Sequence, residues 1–279
     1  MRKTYMKIKQ AVELQAWDWY SALKAPKQEI CFDSIQNFCL FIGYPRSGHS
    51  LVGSLLDAHP NIVIANELDV LRFFSRGMKK NQIFYLLLRN SKQYARQGRM
   101  QTGYNYDVPG QWQGRFEDLR VIGDKKGGMT TRRIGENDGL LDSVAETVGM
   151  PVKYVHVVRN PFDNITTMAL RTQSTLEAEI THYFYLCRIN AHIKARIRNQ
   201  DLLELRHEDI IADPEKSLNR LTTFLGLGCP EEYSRACSNI VSKKPSQTRK
   251  KVDWPPSLVS RVHEGIRGYD FLENYSYFS

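Results

Sequence analysis

The sequence predicts a mostly parallel α/β fold with helices on both faces of the sheet. Three observations predict it. Short apolar runs recur at Phe38–Ile42, Ile62–Ala65, Leu119–Ile122, Val152–Val158 and Leu202–Leu205. Several are separated by segments long enough for helices, and that alternation builds parallel sheets. The first run leads into GYPRSGHS, residues 43–50, a glycine-bracketed turn of the kind that cradles phosphate between a strand and a helix.

Residues 1–30 read as an amphipathic or irregular lead-in. Phe38–Ile42 is apolar throughout and reads as a buried strand ending at Gly43. In 50–59, apolar residues at 51, 52, 55 and 56 follow helical spacing, and Pro60 closes the helix. The turn therefore sits at a helix N-terminus, where backbone N–H groups and the helix dipole favour an anion. Residues 68–118 carry many aromatic and basic side chains and a Pro109-Gly110 turn. They read as an insertion, helical early and loop-like late, that shapes a substrate pocket or packs as a flap. In VVRNPFDNITT, residues 157–167, Asn160 suits an N-cap and Pro161 the first helical turn. The whole chain, 1–279, reads as a single domain containing this insertion.

At 279 residues the chain can bury a sizeable core, and its 42% hydrophobic and 25% charged content is ordinary for a globular protein. A net charge of +9 fits an anionic ligand. The basic residues are dispersed and no nucleic-acid reader motif occurs, so nucleic acid is not expected as a partner. Five cysteines, Cys31, Cys39, Cys187, Cys229 and Cys237, lack paired spacing, which points to reduced thiols rather than disulfides or zinc. No metal site is expected. Neither a signal-peptide core nor an apolar run of roughly 20 residues is visible, so the expected location is cytoplasmic.

The chemistry rests on two stretches. A nucleotide triphosphatase would carry Lys after Gly48; here His49 stands there and the cation, Arg46, lies inside the turn. Arg46 offers a permanently charged fork of donors, suited to electrostatic stabilisation rather than acid catalysis. At the end of the 152–158 run, Arg159 stands where a triphosphatase would place a magnesium-binding Asp. Thr167, eight residues on, lies two helical turns along and can face the same anion as Arg159. Two anion sites without a metal carboxylate fit a nucleotide phosphorylated at two places.

Here the sequence resembles a known family. GYPRSGHSLVGSLLDAHP is similar to the 5′-phosphosulfate loop of the sulfotransferases, especially the PRSGTT form of the tyrosylprotein type. VVRNPFDNITT resembles their 3′-phosphate motif. LRHEDIIADPEKSLNRLTTFLGL, 205–227, and TRKKVDWPPSLVSRVHEGIRGYDFLENYSYF, 248–278, resemble the later parts of these enzymes. The resemblance implies a P-loop-like fold and the donor 3′-phosphoadenosine 5′-phosphosulfate (PAPS), with adenosine 3′,5′-bisphosphate as product and no metal. It implies that Arg46, Ser47, Gly48, His49 and Ser50 hold the phosphosulfate and that Arg159 and Thr167 bind the 3′-phosphate. Arg249, Lys250 and Lys251 would cover that phosphate, and His207 would lie near the adenine. Glu67 falls where the tyrosylprotein type has its general base, and Lys125 where a lysine steadies the sulfonate. The competing roles are a helix cap or ion-pair partner for Glu67 and a solvated loop lysine for Lys125. His59 reads as a cap or packing residue.

The sequence also departs from the family. His49 replaces a hydroxyl, and RKKVDW stands where the cytosolic enzymes carry a longer glycine-containing motif. The implied activity is sulfonate transfer to a hydroxyl acceptor: a sugar, lipid, small molecule or peptide. The open alternatives are a P-loop kinase and a non-enzymatic module binding a nucleotide or anionic glycan.

Overall fold

A computed structural model describes residues 2–24 and 32–279, with side chains from residue 13 onward. Cys31 and part of the lead-in fall outside the described residues. The chain runs α1 (Arg2–Lys24), β1 (Asn37–Gly43), α2 (His49–Asp57), β2 (Ile62–Asn66), α3 (Leu71–Phe74) and α4 (Lys80–Arg96). Then come a short hairpin, β3 (Met100–Gln101) and β4 (Tyr104–Asn105), and β5 (Val121–Lys125), α5 (Gly128–Glu136) and α6 (Leu140–Val148). The remainder is β6 (Val152–Val158), α7 (Pro161–Thr172), α8 (Leu176–Arg196), β7 (Leu202–Arg206), α9 (His207–Ala212), α10 (Pro214–Phe224), α11 (Glu231–Ile240) and α12 (Pro256–Ile266).

Five strands form one parallel sheet in the order β2-β5-β1-β6-β7. Strand β1 is central and its successive side chains enter opposite cores. Phe38, Leu40 and Ile42 pack with Ile83, Phe84 and Val144, whereas Cys39 and Phe41 pack with Val52, Leu56 and Leu221. Burial on both faces explains why this strand reads as a continuous apolar run. The chain leaves β1 toward β2 on one side and returns to β6 on the other. The crevice where order reverses, at the carboxyl ends of the strands, is where such sheets take their ligands.

Two boundaries differ from the sequence reading. The third strand of the sheet in chain order begins at Val121 rather than Leu119, because Arg120 and Val121 both donate N–H to Asn61 O and pairing with β1 starts opposite Asn37. Helix α2 ends at Asp57. His59 is buried, with Nε2 3.1 Å from Gly228 O and Nδ1 accepting from Asn61 N, so it packs the turn. Asn160 does cap α7, accepting from Phe162 N at 3.0 Å. The described cysteines, Cys39, Cys187, Cys229 and Cys237, are free thiols. Among the described residues no helix is long and apolar enough to cross a membrane.

Residues 68–118 contain α3, α4 and the β3–β4 hairpin before an irregular return. Their anchor is Asp57 at the end of α2. This fully buried carboxylate accepts from Ile64 N, Ser91 Oγ, Gly114 N and the guanidinium of Arg99, itself 1% exposed. Burial pushes the Asp57 carboxyl up, and the Arg99 charge and the N–H and O–H donors oppose that rise. Removing a buried partner leaves an uncompensated charge, which costs about 3–5 kcal/mol. Asp57→Ala is therefore expected to lose about that much stability in urea unfolding. Arg99→Met should lose less, because the carboxylate keeps its other donors.

Candidate active site

The turn after β1 presents the first part of the site. Gly48 caps α2 with φ 97°, a left-handed conformation that favours glycine. A Cβ there would stand 2.3 Å from His207 Nδ1, so the absent side chain is what lets α9 close on the turn. Asn164 of α7 holds the turn from beneath by donating to Pro45 O at 2.8 Å. Arg46, also at positive φ (69°), lines the cleft and has no carboxylate partner among the described residues.

Beside the turn, Lys125 ends β5. It is 1% exposed and donates to Glu67 Oε1 at 2.7 Å and to Ser50 Oγ at 3.0 Å. Lys126 pairs with Glu67 Oε2 at 2.7 Å, and His49 Nε2 lies 3.7 Å from Oε1. Glu67 adopts φ 59° in a loop held by Asp124, whose carboxylate accepts from Leu68 N and Val70 N. Burial, with Glu67 and Asp69 nearby, pushes the Asp124 carboxyl up to about 7 against those two N–H bonds. Burial opposes charge on Glu67 as well. The contact with His49 and the charges of Lys125 and Lys126 outweigh it and hold the carboxyl far below the usual carboxylate range. Burial, and to a lesser degree the Lys126 charge, pulls the Lys125 ammonium down, and Glu67 opposes that fall.

The second part lies at the end of β6. Arg159, 6% exposed, donates to Arg46 O at 3.3 Å, Thr167 Oγ1 at 3.2 Å, Ser246 O at 2.8 Å and Thr248 Oγ1 at 3.2 Å. One guanidinium thus ties α7, the turn after β1 and the segment before the 3-10 turn Thr248–Lys251. Glu208 stiffens this corner by accepting from Asn160 N and Tyr275 Oη.

Both parts open into one cleft of about 570 Å³. Its wall carries five cationic side chains, Arg46, Lys126, Arg159, Arg171 and Lys244, against one carboxylate, Glu67. That imbalance selects an anion. The hairpin of 68–118 overhangs it with Gln101 and Tyr104, and Arg171 donates to Thr102 O at 3.2 Å. Among the described residues no group of three or more His, Cys, Asp or Glu side chains could hold a metal.

Most expected residues meet in the cleft: Arg46, Gly48, His49, Ser50, Glu67, Arg159, Thr167 and His207, with Lys125 just behind its wall. Four do not. Ser47 is fully buried beneath the turn, with Oγ 3.2 Å from His49 Nδ1. Arg249 is 3% exposed and locked to Asp163 Oδ2 at 2.6 Å, an ion pair that takes its charge away from the cleft. Lys250 and Lys251 are exposed and off the wall. Thr248, Ser246, Lys126 and Arg171 take part without having been assigned a role from sequence. Arg171 was findable, one helical turn after Thr167 on the same face of α7.

Residues 151–231, which carry Arg159, Thr167 and His207, match the model of the sulfotransferase family. This segment, less than a third of the chain, is similar to the sulfotransferase family. Solved sulfotransferases share its fold. The sulfotransferase domain of the Synechococcus PCC 7002 olefin synthase aligns over 87% of this chain and 98% of its own, at 17% identity and TM-score 0.52. Mouse sulfotransferase SULT7A1, solved with PAP, aligns over 85% and 86% at 14% identity and TM-score 0.50. Sulfotransferase STF1 of Mycobacterium tuberculosis aligns over 91% and 81% at 12% identity and TM-score 0.50. No curated protein sequence matches significantly.

Gly48→Ala should cost roughly 1–3 kcal/mol from backbone strain, with the His207 contact added. Thermal unfolding measures it. His207 itself is pulled down to about 4 by burial and then by Arg159. The unfolded chain gains this proton near 6.5 and the folded one near 4, so His207 makes the fold lose stability as pH falls through that interval. In His207→Gln, that part of the acid loss should disappear from the unfolding curves.

Proposed function

We propose that this protein transfers a sulfonate from PAPS to a hydroxyl acceptor. One observation carries the reading. A strand-to-helix anion turn and an Arg159–Thr167–Thr248 cluster open into a single cationic cleft and are joined by the Arg159 to Arg46 O hydrogen bond. A nucleotide with anionic groups at two positions needs two such subsites side by side.

The residues present fit that donor. The turn opens the N-terminus of α2, where backbone N–H groups favour an anion, and His207 beside it keeps a buried Nδ1 without a hydrogen-bond partner among the described residues. Arg46, Gly48 and Ser50 would hold the phosphosulfate, and Arg159, Thr167 and Thr248 the 3′-phosphate. Arg249 would support this cluster indirectly, through Asp163, whose backbone carbonyl accepts from Thr167 and Thr248. The cleft and its roof would work as one domain, with 68–118 supplying the acceptor side.

When bound, the donor supplies an electrophilic sulfur and a phosphate leaving group. Glu67 would take the proton from the acceptor hydroxyl, and Lys125, Ser50 and Arg46 would stabilise negative charge on the leaving phosphate oxygen. With Lys125 and Lys126 both on it, Glu67 is a weak base. An anion in the cleft competes for both ammonium groups and returns basicity to the carboxylate.

Calorimetry with adenosine 3′,5′-bisphosphate should show binding without magnesium. Preferential binding of ATP with magnesium would favour the kinase reading instead. Arg159→Ala should weaken bisphosphate binding roughly tenfold to a hundredfold, the loss of about 1.5–3 kcal/mol for a charged hydrogen bond. Glu67→Gln should keep bisphosphate binding and lower labelled-sulfonate transfer to a hydroxyl panel by roughly 10²–10⁴. Unchanged transfer in that variant removes Glu67 as the base.

A further inference from the structure

His49 occupies a position where the loops it resembles carry a hydroxyl, yet it offers the cleft little. It is 7% exposed, and its ring is clamped between the turn and the start of α5. A Cβ on Gly127, at φ 55°, would come within 2.9 Å of the ring, so that glycine makes the room. The two ring nitrogens face different partners: Nδ1 lies 3.2 Å from Ser47 Oγ and Nε2 3.7 Å from Glu67 Oε1. Nδ1 is turned into the loop, and Nε2 faces the carboxylate at the edge of the cleft.

Ser47 Oγ can donate or accept, so the carboxylate is what favours one tautomer. A neutral imidazole has one N–H and one lone pair. With the proton on Nε2, the ring directs a donor toward the carboxylate and accepts the Ser47 hydroxyl at Nδ1. The reverse tautomer would aim a lone pair at an anion. Burial keeps the ring below the usual histidine range, and Lys125 adds to that; Glu67 opposes both. The charged groups around it are Glu67 from the β2–α3 connection and Lys125 at the end of β5, with Lys126 sharing Glu67.

We propose that His49 is a positioning residue for Glu67, linking the anion-binding turn to the base through Ser47 Oγ, the imidazole and the carboxylate. The inference rests on the sulfonate-transfer reading only for its consequence in turnover. Lys125 and Lys126 carry charge and are drawn to an anion in the cleft. A neutral His49 is not, so it keeps its hold on Oε1 when the lysines change partner. Replacing a loop hydroxyl by histidine thus removes one donor to the ligand and adds one to the base.

The test is an NMR titration of ¹⁵N-histidine-labelled, donor-free protein, with the His49 signals identified by their loss in His49→Gln. The expected spectrum shows the Nε2–H tautomer at neutral pH. Because the Glu67 charge favours the imidazolium, the His49 midpoint should move to lower pH in Glu67→Gln. A midpoint that does not move, or an Nδ1–H tautomer, overturns the proposal. In sulfonate transfer to the hydroxyl panel, His49→Ala should lose up to roughly a hundredfold in turnover, the scale of a misplaced catalytic group. Its affinity for adenosine 3′,5′-bisphosphate should stay within about threefold, whereas misplaced positioning costs far more. His49→Gln, which restores an N–H, should recover most of the loss. Equal losses in both variants with the bisphosphate still bound overturn the positioning role and leave sulfonate transfer standing. Failure of the wild-type protein to bind the bisphosphate counts against sulfonate transfer, and the donor-free titration still decides the His49–Glu67 link.

Discussion

The buried contact between Lys125 and Glu67 is the interaction on which the site depends. It joins the end of β5 to the loop after β2, and through Ser50 it reaches the first turn of α2. A lysine ammonium this deep is tolerated only because it is paired and hydrogen-bonded. Space for its stem comes from Gly53, where a Cβ would lie 2.7 Å from Lys125 Cγ. The same contact fixes the carboxylate and suppresses its basicity, so the proposed base would be held in place without being reactive at rest.

The cleft solves a second electrostatic problem. Its cations would repel one another in the absence of an anion. Arg159 is spread over two carbonyls and two hydroxyls, Lys126 is paired with Glu67, and Arg171 leans on Thr102 O. Such hydrogen bonds to neutral groups hold a guanidinium in position while leaving its charge uncancelled. A further cancelled charge, Arg249 on Asp163, sits outside the cleft. There it fastens the 3-10 turn to α7 and so brings Thr248 to Arg159.

Residues 68–118 depend on the core for their shape. Arg99 lies immediately before the hairpin and its charge is buried on Asp57, at the far end of the helix that begins at the anion turn. Tyr94 Oη contacts both Arg99 O and Gln101, and Tyr106 N donates to Arg99 O. One buried ion pair thus sets the height of the roof over the cleft. Variation at the hairpin tip can alter the cleft opening without touching the anion-binding turn.

The sequence by itself determined the parallel α/β class, the buried strand before the glycine turn, the strand–turn–helix and the Arg159–Thr167 pair. Each is local: apolar runs report burial on both faces of a strand, glycines report a turn, and two residues eight apart report one helix face. The same locality made Glu67 and Lys125 visible as strand-end residues. Only the tertiary structure decided that they pair with each other, that His49 turns to Glu67 and that Ser47 lies beneath the turn. It also decided that Arg249 faces Asp163 while Thr248, beside it in sequence, faces Arg159. Those outcomes turn on which residue meets a partner from a distant segment once the strands are packed side by side. An ion pair between residues 86 positions apart leaves no periodicity in the chain to read.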